Sequence, residues 1–392
     1  MKRIIFLVTM LFCCLIGYSQ LINEGEAKKL AEKYYVEYAL NGCKPSQRLR
    51  FNLVYDCTDS YIKSVAADAS YYYIFDVSHD KGFIIISGDH RAVPVIGFAT
   101  EGGFSYNDGN GFFKEILHRY GEQLKAIVTD QCDSIPYDDQ PPVRELSYRA
   151  DPDIPAVLPL LGKTAWGQRD PFNRMCPYFP AVKAKALTGC VATAIGQIMR
   201  FYQWPITGKG THTYTTRTLN LSQSADFSAH SFQWDKMKDT YDRDCSNRVG
   251  EPVSKLMHLI GVAAELDYKE RTTSGNGRLL IKGMVDYFGY SPDIKMQLTD
   301  NYRDIDFREL LRSELQSGRP VFIGSGINRK YHSYVCDGYN EQGLFHLNFG
   351  WKGRCNGYYA VGSLRKNISD NFLSLPKQGD RTHVIFDIKP GK

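Results

Sequence analysis

The chain has 392 residues, of which 43% are apolar, 13% aromatic and 23% charged; this is enough for about two to three domains, and the apolar share excludes disorder or a fibrous repeat as its main character. Its 48 Lys and Arg against 43 Asp and Glu leave a formal charge of +5, with no basic run long enough to track a phosphate backbone, so nucleic acid is not an expected partner. The ten cysteines leave three options open: a disulfide framework, a metal site, or one reactive thiol among inert ones.

Lys2 and Arg3 precede an apolar stretch from Ile4 to Gly17, and Gly17 and Ser19 place small residues before a cut at Gln20. Residues 1–19 therefore read as a secretory signal peptide. The stretch is shorter than the ~20 residues of a spanning helix, and bulky Phe12 argues against lipid modification at Cys13; an anchor through Cys13 or Cys14 is the minor alternative. No other stretch approaches spanning length, so the mature protein is expected outside the cytoplasm, extracellular or periplasmic, with no membrane span. Eight cysteines then remain, at 43, 57, 132, 176, 190, 245, 336 and 355, with no C-x-x-C pair and no H-E-x-x-H. A metal site is not expected, and neither is a dense disulfide scaffold.

Ala27, Leu30, Ala31, Tyr34, Tyr35 and Tyr38 recur at helical spacing and predict a helix over 21–40. Strand-like runs follow at Tyr71 to Val77, Gly82 to Ser87 and Ala92 to Ala99, then a helical pattern from Phe112 to Val128. Together these make one small α+β unit. Residues 130–157 are acidic and Pro-rich without apolar periodicity, as an exposed linker would be. The larger block that follows carries helical patterns near 190–203, 253–266 and 305–316, and alternating strands from 320 onward. A small unit tethered to a larger one by a cuttable linker suits a precursor with a detachable piece as well as a permanent two-domain protein.

Within the run Thr188-Gly189-Cys190-Val191-Ala192-Thr193-Ala194, apolar residues at 191, 194, 195, 198, 199 and 202 mark a helix face that Pro205 ends. Cys190 falls on its first turn, where open N–H groups and the helix dipole favour thiolate, the nucleophilic form. For Cys190 alone the competing reading is a small core cysteine. A thiolate nucleophile needs an acid/base partner, usually His. His332 and His346 lie on two strands joined by a turn around Asn340 to Gly343, an antiparallel hairpin. Counting outward from that turn sets His332 opposite residues 349–351, with Asn348, Phe349 and Trp351 beside its ring as orienting group and aromatic wall. His346, nearer the turn, is expected to be structural. Gln168, in Trp166-Gly167-Gln168, offers a side-chain amide that could join the Cys190 N–H in an oxyanion hole.

At these residues the chain resembles the streptopain-like cysteine peptidases, secreted bacterial zymogens with a papain-like catalytic domain. The resemblance runs in order through Trp166-Gly167-Gln168, Gly189-Cys190-Val191-Ala192-Thr193-Ala194, Leu266-Asp267-Tyr268, Gly318-Arg319-Pro320-Val321, His332 with Asp337-Gly338, and His346-Leu347-Asn348-Phe349-Gly350-Trp351. The N-terminal unit is similar to the family's inhibitory propeptide at Gly82-Phe83-Ile84-Ile85-Ile86-Ser87-Gly88-Asp89 and Val93-Pro94-Val95-Ile96-Gly97.

The resemblance implies an α+β chain. A papain-like catalytic domain, a helical part plus an antiparallel β part at 150–392, follows an inhibitory propeptide domain at 20–149. It implies Cys190 as nucleophile, His332 as acid/base, Gln168 in the oxyanion hole, Ser274 on the non-primed substrate cleft and an apolar preference two positions before the cut. Tyr331 stands where the family usually has Gly, adding bulk at the cleft wall, and Phe349 where Trp is usual. The expected protein is a secreted cysteine endopeptidase needing no cofactor, acting on proteins and peptides, and inhibited within the molecule by its own propeptide until the linker is cut. Two rivals stay open: an acyltransferase of the transglutaminase kind, which Asn348 in place of an Asp disfavours, and a catalytically silent adhesin or inhibitor of the same fold.

Overall fold

The computed structural model describes residues 20–104, 111–129, 155–242, 245–298, 304–362, 364 and 381–392. The expected signal peptide, Cys13, Cys14, Cys132 and most of the expected linker lie outside these. Helix α1, Glu24–Ala39, starts where the Asn23 side chain accepts from the Glu26 N–H at 2.9 Å, and it buries Ala27, Ala31 and Tyr35 along one stripe. Strand β1, Phe51–Cys57, and the short helix α2, Ser60–Val65, were not expected. β1 is only partly buried, so its apolar alternation is weak in the sequence. Strands β2, Tyr72–Val77, β3, Phe83–Ser87, and β4, Val95–Ala99, form an antiparallel meander with it, and helix α3, Phe112–Val128, spans the predicted residues.

The larger unit opens with the two-residue strands β5, Tyr178–Phe179, and β6, Ala184–Lys185, and then helix α4, Cys190–Tyr202. The hairpin β7, Thr211–Thr215, with β8, Ser222–Asp226, leads to helix α5, Asn247–Ala263. Helix α5 starts several residues before the predicted pattern, because Pro252 sits inside its N-terminal part and masks the periodicity. The pair β9, Asp267–Tyr268, and β10, Thr273–Ser274, precedes helix α6, Gly277–Asp286, another unpredicted element, capped by Asn276. Then come β11, Lys295–Leu298, α7, Asp304–Gln316, β12, Val321–Ile327, β13, Lys330–Tyr339, β14, Phe345–Asn348, β15, Gly357–Tyr359, and β16, Arg381–Phe386.

The protein is α+β. Its two units share one sheet of ten strands in the order β1-β2-β3-β4-β15-β14-β13-β12-β16-β11. The seam is β4 against β15, with Phe98 opposite Tyr358 and Gly97 opposite Tyr359. The Phe98 and Tyr358 rings stack at 5.1 Å. A Cβ on Gly97 would stand 2.5 Å from the Tyr359 ring, so glycine is what lets that ring cross the seam. The N-terminal piece is therefore hydrogen-bonded into the larger unit's sheet as well as tethered to it.

Two cores lie on opposite faces of this sheet. One gathers the N-terminal unit, including Phe112 and Phe113, with Cys336, Phe345, Phe349, Trp351 and Tyr359. The other packs α4, α5 and α6 against Phe322, Val335 and Ile385. Burial holds several acids in their neutral form: the Cys57 thiol is pushed up to about 11 and Cys176 to about 12. In the unfolded chain these thiols lose their protons near their ordinary values, so between roughly pH 9 and 11 the unfolded state binds fewer protons and stability falls as pH rises. The urea midpoint is expected to drop between pH 8 and pH 10; a midpoint unchanged over that interval would contradict the burial of these thiols.

Candidate functional site

Cys190 is the first residue of α4, and Gly189 before it takes φ 87°, a conformation L side chains rarely adopt. Thr273 closes on Gly189 from β10, and its hydroxyl donates to the Leu187 carbonyl at 2.7 Å. No side chain caps α4, so the N–H groups of Cys190 and Val191 are free to turn toward the sulfur. The Ser333 N–H and hydroxyl reach it from β13. These four donors favour thiolate, as the helix-start position implied, but burial outweighs them and pushes the Cys190 thiol above its ordinary value. In this form of the protein Cys190 is a thiol held ready rather than a thiolate.

His332 is 2% exposed on β13. Successive side chains of a strand alternate faces, and the neighbours show the alternation here. Ser333 approaches Cys190 and Val335 belongs to the α4 core, whereas Cys336 belongs to the core of the N-terminal unit. The His332 ring lies with this second set: 5.4 Å from Phe112 of α3, 4.5 Å from Trp351, 6.2 Å from Tyr334 and 6.4 Å from Phe349. Its Nε2 donates to the Phe349 carbonyl at 2.8 Å; a carbonyl can only accept, so this nitrogen carries the hydrogen. His332 and Cys190 thus occupy opposite faces of one strand. The hairpin tip beyond His332 is held to α3 as well, with the Asn328 amide donating to Glu115 at 2.7 Å.

The hairpin count set His332 beside residues 349–351, and Trp351 and Phe349 do form a wall against its ring, themselves stacked at 5.0 Å. Asn348 does not orient it. Asn348 lies opposite Val335, so its side chain takes the α4 face, away from His332. There it accepts from Gln197 of α4 at 3.3 Å and from the Gly350 N–H at 3.1 Å, and donates to the Thr164 carbonyl at 2.8 Å. Gln197 completes the bridge by accepting from the Trp166 N–H at 3.1 Å, which fixes the loop carrying Gln168 to the helix that carries Cys190. The Gln168 carbonyl accepts from the Thr188 N–H at 3.1 Å, and none of the described hydrogen bonds uses its side-chain amide. Sequence reasoning missed Gln197 and Ser333; a buried Gln on an otherwise apolar helix face was the available signal for the first.

Ser274 is exposed at the end of β10, and Tyr331 is 67% exposed with its ring over Gly326, on the same strand face as Ser333. His346 is structural: its Nδ1 meets the buried Asp337 carboxylate at 2.5 Å, and the other oxygen of that carboxylate accepts from the Leu161 N–H at 3.2 Å. Among the described residues no group of His, Cys, Asp and Glu is arranged to hold a metal.

Residues 166–359 match the Peptidase C10 family and residues 19–124 match the Spi protease inhibitor family. Over its whole length the chain is 24% identical to the thiol protease/hemagglutinin PrtT of Porphyromonas gingivalis, of which it spans 44%. It is 26% identical to streptopain of Streptococcus pyogenes over 74% of each chain. A structure of prointerpain A from Prevotella intermedia, a fragment with the cysteine at one position changed to alanine, superposes on 88% of the chain with a TM-score of 0.68 at 27% identity, and all of that fragment is covered. Active wild-type interpain A superposes on 62% of the chain and 98% of its own, with a TM-score of 0.52 at 29% identity.

Proposed function

The chain belongs to the Peptidase C10 family and carries a Spi-type inhibitor domain ahead of its peptidase domain, as streptopain-like cysteine peptidase zymogens do, and we propose that it is a secreted endopeptidase whose nucleophile is Cys190 and whose acid/base is His332. The observation that carries the proposal is the division of these two groups between the faces of β13, with Phe112 of the N-terminal unit packed on the imidazole. An apolar ring over His332 holds it away from water and from the thiol, and burial keeps the thiol protonated. Neither group is in its reactive state while α3 is in place.

In this proposal residues 20–149 are the inhibitor and 150–392 the peptidase, and cleavage within 130–157 frees the N-terminal unit. The loss of α3 removes Phe112 from His332 and Glu115 from the hairpin tip. The tip of β13 is then free to rearrange its backbone, as a change of face in a strand requires, and to carry His332 to the α4 face beside Cys190 and Asn348. The imidazole takes the thiol proton, and the ion pair offsets the burial that now opposes thiolate. Cys190 attacks the scissile carbonyl; the Cys190 N–H and the Gln168 amide hold the oxyanion; His332 protonates the leaving amine; water then releases the acyl group. Tyr331 and Ser274 border the cleft on either side of the thiol. Export rests on the signal-like character of residues 1–19.

The test is alkylation of Cys190 by iodoacetamide at pH 7, followed by peptide mapping before and after removal of the N-terminal unit. Labelling is expected to be slow in the precursor, to rise with pH only above the ordinary cysteine range, and to become fast at neutral pH on maturation, together with azocasein cleavage. Equal labelling of both forms at pH 7 would remove the basis of the proposal.

A further inference from the structure

His383 has no part in the chemistry above, yet it lies on the cleft side of the sheet. On β12, Gly324 pairs with Ser333 on one side and with His383 on the other, so the side chains of Ser333 and His383 share the α4 face, to which Phe322 and Ile385 also belong. The His383 ring closes on Gly324 through its Cε1 edge: a Cβ there would stand 2.3 Å from Cε1 and 2.5 Å from Nε2. Gly324 has no positive φ to account for glycine; the space is taken by the imidazole. The segment from Thr273 to Gly277 runs beside the same track, with Thr273 against Gly189, Gly275 against Val191, and Gly277 3.3 Å from His383 Nε2 where its Cβ would be. Two walls therefore leave Cys190 together and end at one imidazole. The distance along the sheet is two strand spacings, about 10 Å.

We infer that His383 determines specificity, closing the subsite that receives the second residue before the scissile bond and selecting there a side chain that can exchange a hydrogen bond with an imidazole. The inference rests on the reading of Cys190 as nucleophile. An extended substrate advances about 3.3 Å per residue, so a side chain two positions before the cut reaches the far end of this track if it has the length of Gln, Glu or Leu. Among the described residues none exchanges a hydrogen bond with either ring nitrogen of His383. Covering the ring with a purely apolar side chain leaves these nitrogens unsatisfied, whereas an amide satisfies a donor or an acceptor in either tautomer. The apolar preference implied by the family resemblance is thereby narrowed to an apolar stem with a polar end. Burial lowers the His383 pKa from its ordinary value, so the ring is neutral at pH 7, and an added preference for Glu over Gln belongs to acidic solution.

The test uses the matured enzyme and three peptides differing only at that position, with Gln, Glu or Leu. The kcat/KM ratio of Gln to Leu is expected to fall about tenfold in His383→Phe and in His383→Ser, the cost of one unmade hydrogen bond. The Glu to Gln ratio is expected to rise as the pH falls below the ordinary histidine range in the unaltered enzyme and to stay flat in both variants. Unchanged ratios in both variants would overturn the inference while leaving the reading of Cys190 intact. So would an equal loss on all three peptides with Cys190 still alkylated by iodoacetamide, which would mark His383 as a support of the fold or the chemistry. Cleavage retained in Cys190→Ala would remove the nucleophile reading and this inference with it.

Discussion

Replacing Cys190 by alanine is expected to lower cleavage of protein substrates by about 10⁴–10⁶-fold and to leave the full-length precursor uncut, because the covalent intermediate is formed on its sulfur. The sulfur is approached by four donors, the N–H groups of Cys190, Val191 and Ser333 and the Ser333 hydroxyl. Removing it leaves those donors without this acceptor but opens only a small space, so a loss of about 1 kcal/mol in stability is expected and the fold should persist. Thermal melting of the variant checks this separately. The measurement is azocasein hydrolysis together with gel analysis of the precursor over time, in a preparation free of other proteases. Self-processing at the unaltered rate would mean that the chemistry lies elsewhere. Added mature enzyme should still cut the variant in the linker, which separates loss of catalysis from loss of a cleavable precursor.

The parts of this site that were legible in the sequence are those fixed by local rules. Gly189 before an amphipathic helix places Cys190 on the first turn, and the Asn340–Gly343 turn fixes which residues stand across from His332. Element ends were less legible wherever a local signal was broken: Pro252 hid the first turns of α5, and the short β1 and α2 carry too little alternation to stand out. The face of β13 on which His332 sits was not legible. From Cys336 to Tyr339 β13 is buried on both sides, so apolar alternation does not tell one face from the other. Only the seam between β4 and β15, a pairing between residues some 260 apart in the chain, decides that the N-terminal unit covers the His332 side. Asn348 stands with Gln197 rather than with the imidazole for a local reason: across the hairpin it lies opposite Val335 and must share its face.

Replacing Phe112 by alanine is expected to wake the intact precursor. Phe112 is fully buried at the start of α3, and its ring lies 5.4 Å from His332 and 6.0 Å from Tyr334. Core Phe to Ala changes cost about 3–5 kcal/mol. Part of that is lost whichever way His332 points, but the contact with the imidazole exists only in the latent arrangement. If about 2 kcal/mol of the total is specific to that arrangement, the fraction of molecules with His332 on the α4 face rises about thirtyfold. The expected result is faster alkylation of Cys190 at pH 7 and measurable peptide cleavage by uncut precursor, in that proportion. Simple loosening of the N-terminal unit would have a similar outward effect, so Leu124→Ala is the comparison: Leu124 is fully buried in the same helix and the same core, with no ring against His332. The two variants should destabilise comparably, yet Phe112→Ala should activate far more. Equal activation by both would mean that latency depends on how firmly the whole unit is seated in the sheet, through β4 and β15, and not on the ring that covers the imidazole.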